Sequence, residues 1–140
     1  MFHLSIVTAE GSVYEGDIEM LVAPAVDGEL GILTNHHPMV TKLGPGAMRA
    51  LKPDKTEQIL FVNGGYLEVL NNKVTILADT AENIDAIQIE QARAARASAA
   101  SMLKNAKDDV DREKLEEELR TQMIRERLAE VNQYKKKPSV

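Results

Sequence analysis

Two neighbouring histidines, His36 and His37, stand before Pro38 and after Asp27 and Glu29, and these residue types are the first to suggest chemistry. Imidazole nitrogens and carboxylate oxygens together could ligate a divalent cation. In an extended chain, however, adjacent side chains point to opposite sides, so both rings are not expected to serve one ion. The plainer reading is an exposed loop whose His and Glu meet a protein partner. The glycines of DGELGILTN lack both the Gly-Lys-Ser/Thr ending and the strand, turn and helix order of a phosphate-binding loop, and read as a backbone turn. In VNGGYLEV the Gly64–Gly65 pair is expected to permit a bend or a positive φ between strands. All three histidines lie within the first 37 residues and no Ser, His and Asp triad is apparent. Cysteine is absent from the 140 residues, which excludes disulfides, thiolate metal sites and cysteine nucleophiles. No catalytic residue and no metal site is expected.

Later in the chain, Glu90, Arg93 and Arg96 recur at i, i+3 and i+6, which places a carboxylate and two guanidiniums on one helix face. Such a set could bind a phosphate or a ribose, although solvated helices carry similar triplets routinely. The charge-rich residues 112–127 read as a solvated face, with Glu116 and Arg120 ordered for an i, i+4 ion pair.

The elements that must position these groups follow from where the structure breakers fall. All 8 glycines lie at or before Gly65 and 4 of the 5 prolines at or before Pro53, so the first half turns often and the second can carry long helices. Charge divides similarly: residues 1–84 hold 5 basic and 11 acidic side chains, residues 85–140 hold 12 and 11. The boundary is expected near Glu82 to Asp85. Before it, LSIVT, IEMLVA, ILFVN, YLEVL and KVTILA alternate with turn residues, the pattern of an all-β sandwich over 1–84. YLEVL-NN-KVTIL reads as a hairpin, because two Asn tolerate the positive φ of a two-residue turn. Alternation of Tyr66, Glu68 and Leu70 against Leu67 and Val69 suggests one buried and one wetter face.

Residues 85–140 read as an antiparallel two-helix hairpin. Asp85 and Gln88 have capping-box spacing, Ile84 and Ile89 form a staple, and the Ala-rich helix is expected to reach about Ala106. Asp108, Asp109 and Asp111 suit a second helix N-terminus, and Lys135, Lys136 and Lys137 suit its C-terminus. Two apolar lines are expected on that helix, Leu115, Leu119 and Met123, and Ile124, Leu128 and Val131. The net charge of -5 disfavours nucleic acid as a partner. The longest stretch without Asp, Glu, Lys or Arg is residues 30–41, too short to span a bilayer, and MFHLSIVTAEG does not read as a signal peptide.

The segments VTAEGSVYEGDIE, GELGILTNHHPMVTKLGPGAMR, VNGGYLEV and VTILADTAE, followed by an Ala- and Arg-rich helix and the turn KDDVD, are in register with a known family. The chain resembles the epsilon subunit of the rotary F-type ATP synthase over essentially its whole length. The resemblance implies a noncatalytic rotor subunit at the cytoplasmic face of a bacterial membrane, held there only through its complex. Its β-sandwich would dock on the gamma subunit and on the c-ring, with Glu29 and His36 in the region facing the ring. Thr34 and His37 replace a proline and a small residue common in that loop. The helical hairpin would move between a compact state and an extended one that hinders ATP hydrolysis. There, Arg120, Arg125 and Arg127 would meet acidic segments of the catalytic alpha/beta ring. Some members bind ATP through Ile/Leu-Asp-x-x-Arg-Ala; here Ile89-Glu90-Gln91-Ala92-Arg93-Ala94 has Glu for Asp, and Ala100 takes the place of a later Arg. ATP is thus expected as at most a weak regulatory ligand near Glu90, Arg93 and Arg96, with no other cofactor. The rival readings are a free-standing β-sandwich adaptor and a metal-dependent activity at His36, His37 and Glu29.

Overall fold

The computed structural model describes residues 1–136 and divides into two compact units, Met1–Asn83 and the segment from Ile84 onward. The first holds eight strands: β1 (Phe2–Thr8), β2 (Gly11–Ile18), β3 (Met20–Ala25), β4 (Gly28–Leu33), β5 (Met39–Lys42), β6 (Gly46–Leu51), β7 (Glu57–Leu70) and β8 (Lys73–Asn83). Their hydrogen-bonded order is β2-β1-β8-β7-β6-β3-β4, with β5 added to β7. The β1 and β8 pair is parallel and the other pairs are antiparallel.

The β-sandwich architecture turns on β7. Its first half pairs with β6, from Leu51↔Glu57 to Gly46↔Val62, and its second half with β5, from Lys42↔Tyr66 to Met39↔Val69. One strand therefore serves both walls of the sandwich. Gly64 and Gly65 make this possible, with φ of 69° and 99°, values that L side chains rarely adopt. A Cβ on Gly65 would overlap the Leu77 carbonyl oxygen, and one on Gly64 the Asp79 carboxylate. Across this bend the inward parity switches, from Leu60 and Val62 to Leu67 and Val69. Both sets reach one core with Leu4, Ile6, Leu21, Ile32, Met48 and Ile76. Each such buried side chain contributes about 1.5–3 kcal/mol.

The Asn71–Asn72 turn forms as expected, both residues having positive φ, of 52° and 60°, and Leu70 pairing with Lys73. Asn72 also ties neighbouring segments: its Nδ2 donates to the Met1 carbonyl at 2.9 Å, and its Oδ1 accepts from the Asn35 amide at 2.8 Å. Other strand expectations need correction. IEMLVA is not one strand, since Ile18 ends β2 and Met20 opens β3. ILFVN and YLEVL are a single strand, and the turn expected across DGELGILTN divides in two, at Val26–Asp27 before β4 and at Thr34–Asn35 after it, with Gly28 and Gly31 inside the strand. Strands β2, β4, β5 and β6 carry glycines, charges or short apolar runs that conceal their period; pairing with neighbours holds them extended instead.

In the second unit a 3-10 turn, Ile84–Ala86, precedes α1 (Ile89–Lys104) and α2 (Asp109–Lys136). Asp85 does not cap α1, because that turn separates it from the helix; Gln88 holds the N-cap position and makes no side-chain cap bond. Asp85 Oδ1 instead accepts a hydrogen bond from Asn132 Nδ2 at 2.9 Å. Helix α1 also stops short of Ala106, as the Asn105 and Ala106 amides bond the Met102 and Leu103 carbonyls at 3.2 Å in a tightened last turn. Asp108 caps α2, its Oδ1 accepting from the Asp111 amide at 2.7 Å. Of the two expected apolar lines, Leu115, Leu119, Ile124 and Leu128 are half-buried, whereas Met123 and Val131 are exposed. Lys136 ends α2, and Lys137 lies outside the described residues.

Candidate functional site

The outward face of β5, β7, β8 and β1 carries apolar side chains where a solvated sheet would carry polar ones. Register places Tyr66 between Lys42 of β5 and Leu77 of β8, and Leu77 beside Val7 of β1. Tyr66 is 55% exposed, Leu77 57% and Val40 67%. Val7, Leu77 and Tyr66 form an apolar row across β1, β8 and β7, beside a shallow groove that Lys42 and Asp79 also line, whereas Val40 lies one row away opposite Glu68. The outward position of Tyr66 was legible in its alternation with Leu67 and Val69. That of Leu77 was less plain, because Ile76, Leu77 and Ala78 follow one another as apolar residues and only Lys73 and Thr75 mark the outward parity.

One end of β1 adds a polar cluster that the sequence did not reveal. His3 Nδ1 lies 3.1 Å from Asp17 and Nε2 lies 3.2 Å from Glu15. The carboxylate of Asp17, then that of Glu15, stabilises the imidazolium and raises the His3 pKa above its ordinary 6.5. Hydrogen bonds from Ser5 and then His3 hold the Glu15 carboxyl below its ordinary 4.5.

Glu29 and His36 do not lie together. Glu29 sits at the start of β4, exposed, with Arg49 Nη2 3.8 Å from its Oε2, and His36 follows the far end of the strand. Four residue steps from Glu29 to Leu33 alone span about 13 Å. The expectation that His36 and His37 diverge is corrected: their rings stack, with centroids 4.3 Å apart and planes 24° from parallel. The loop is not extended, since Asn35 has φ of 63° and the His36 amide bonds the Leu33 carbonyl at 3.2 Å. His36 Nδ1 donates to the His37 carbonyl oxygen at 2.8 Å. Among the described residues no group of three or more His, Asp or Glu side chains is arranged to hold a metal ion.

On the helix pair, Arg93 and Arg96 face carboxylates of α2. Arg93 Nη2 donates to Glu130 Oε1 at 3.2 Å, Arg93 Nε lies 3.9 Å from Glu126 Oε1, and Arg96 Nε donates to Glu126 Oε2. These pairs run antiparallel, the lower-numbered arginine meeting the higher-numbered glutamate. Glu90 is exposed and lines a shallow hollow with Gln88, Arg93 and Gln133. Arg120 and Arg127 are exposed and Arg125 is half-buried. The expected Glu116–Arg120 pair is not formed: both side chains are solvated, and a surface i, i+4 pair gains little.

The chain is thus a β-sandwich with exposed apolar residues on its outer face, followed by a two-helix hairpin with a charged seam. Residues 1–84 match the family model described as "ATP synthase, Delta/Epsilon chain, beta-sandwich domain". The "ATP synthase epsilon chain" of Polaromonas naphthalenivorans is 40% identical over 135 residues, covering 96% of each chain. That of Alkalihalophilus pseudofirmus is 46% identical over 106 residues, covering 76% of this chain and 79% of its own. A chain of the Euglena gracilis mitochondrial ATP synthase shares the fold, with a TM-score of 0.76 at 20% identity over 86% of this chain and 76% of that one. The chain belongs to the ATP synthase epsilon chain family.

Proposed function

We propose that this chain is a noncatalytic central-stalk subunit of a rotary ATP synthase. Its β-sandwich joins a gamma subunit to the c-ring and helps couple proton-driven rotation to ATP synthesis, and its helix pair restrains ATP hydrolysis. The observation that carries the docking role is the row of Tyr66, Leu77 and Val7 on adjoining strands, with Tyr66 and Leu77 exposed, since contiguous apolar surface on a folded domain marks an interaction site. We assign the gamma contact to that row. Glu29 and His36 support a c-ring contact that runs the length of β4 rather than one loop. In an extended state, Arg120, Arg125 and Arg127 would meet acidic segments of the alpha/beta ring. ATP is a weak ligand of Glu90, Arg93 and Arg96 in this reading, because both guanidiniums already hold carboxylates. No helix among the described residues is long and apolar enough to cross a membrane, which fits attachment to the cytoplasmic face of a bacterial membrane through the complex.

The test is ATP hydrolysis by the matching catalytic ring and gamma, with the whole chain or with a chain ending at Asn83. Both versions should bind, and the whole chain alone should lower hydrolysis. Binding without inhibition by either would remove the regulatory role, and failure of both to bind would remove the docking role.

A further inference from the structure

The apolar row on the outer face of the sandwich ends in charge. Lys42 pairs with Tyr66, Tyr66 with Leu77 and Leu77 with Val7, so Lys42 closes the row at β5. Asp79 stands on β8 two residues beyond Leu77, and side chains two apart along a strand share a face. Gly64 makes room for it, since the Asp79 carboxylate lies where a side chain on that glycine would be. Two strand spacings and two residue steps put the backbones of Lys42 and Asp79 about 12 Å apart. Both residues are exposed, both line the groove with Val7, Tyr66 and Leu77, and neither has an ion-pair partner among the described residues. Residues 1–84 hold 5 basic side chains against 11 acidic, and Arg49 and Lys55 already face Glu29 and Glu19. An uncommitted ammonium at the end of an apolar row is therefore an exception in this unit.

A partner that covers the row removes water from both charges. Apolar burial has no direction and would accept a segment either way round. A charge covered without its opposite costs affinity, whereas a matched one does not. We propose that Lys42 and Asp79 set the polarity of this surface: they admit an apolar segment that brings a carboxylate to Lys42 and an ammonium or guanidinium to Asp79, and they reject the reverse. This rests on the gamma-docking reading above and adds to it the charge order of the docked segment. Wrong partners and reversed registers meet like charges, a barrier that the apolar row alone does not supply.

The test is association of the full chain with the matching catalytic ring and gamma at about 0.1 M and about 1 M sodium chloride, where the screening length falls from about 10 Å to about 3 Å. Lys42→Glu and Asp79→Lys should each slow association about tenfold at the lower salt, and the deficit should close at the higher. The exchanged pair, Lys42→Asp with Asp79→Lys, keeps the net charge at -5 and should associate no faster than either single variant. Association as fast as the parent's in the exchanged pair, or in either single variant, would overturn the proposal. Leu77→Glu separates the two readings. If it weakens binding while the charge variants do not, docking on the row stands and the polarity falls; if it too changes nothing, the docking role itself falls. Should Asp79→Lys fail to fold, Asp79→Asn keeps the shape and removes the charge, and a smaller, salt-sensitive slowing is then required.

Discussion

Placing alanine at Gly65 should damage the sandwich far more than placing it at Gly31, although both glycines lie in strands. At Gly65, φ is 99° and the new Cβ would overlap the Leu77 carbonyl oxygen, a backbone atom that cannot swing away. Positive φ at a non-glycine residue costs about 1–3 kcal/mol, and relieving the overlap requires β7 and β8 to separate locally, so about 3 kcal/mol or more is expected. A domain of this size is stable by about 4–12 kcal/mol, so the change removes a large share of its margin. The midpoint of thermal unfolding should fall by roughly 12–24 °C, taking about 4–8 °C per kcal/mol for a domain of 60–100 residues. At Gly31 nothing lies within 4 Å of the added methyl, and the change should stay within about 0.5 kcal/mol. Calorimetry, with tyrosine signals from Tyr14 and Tyr66 to follow the sandwich, measures both variants. Equal midpoints for the two would refute the claim that the Gly64–Gly65 bend is what lets β7 serve both walls.

Three further outcomes are expected. Leu77→Glu should leave thermal unfolding within about 0.5 kcal/mol of the parent, since the side chain is solvated, yet weaken binding to gamma at least tenfold in a direct titration. His3 gains its carboxylate partners on folding and its pKa rises, so its contribution is complete below about pH 6.5 and is lost as pH climbs through the folded value. Glu15 has the opposite sign, contributing above its unfolded value of 4.5 and losing that contribution as pH falls through the lower folded value. Denaturant midpoints should therefore drop as pH rises from about 6.5 through the higher folded value of His3, and His3→Gln should flatten that drop; an equal drop in both proteins would exclude His3 as its source. Asp108→Ala removes the bond to the Asp111 amide and should cost α2 about 1 kcal/mol, seen as fraying of its first turn in hydrogen exchange.

Much of the fold was readable because the informative residues act locally. Two adjacent asparagines adopt positive φ wherever a tight turn is required, and Asp108 reaches an amide three residues away without help from any other element. The distribution of glycine and proline separated a turning half from a helical one for the same reason, since backbone freedom is a property of each residue. The Asp85 cap failed where a local rule met a competitor, a 3-10 turn and Asn132, 47 residues away in sequence.

The candidate site shows the other side of this division. Composition and spacing determined the residue types, the absence of thiol chemistry, the Gly64–Gly65 bend and the alternation of Leu67 and Val69 with Tyr66 and Glu68. Only the tertiary structure decided that two apolar runs are one strand, that Leu77 stands beside Tyr66 in the open, and that Arg93 and Arg96 meet Glu130 and Glu126. The reason is physical: turns and caps are set by interactions within a few residues, whereas burial and ion pairing depend on which distant strand or helix arrives alongside. A sequence window contains the side chain and not the neighbour that will cover it.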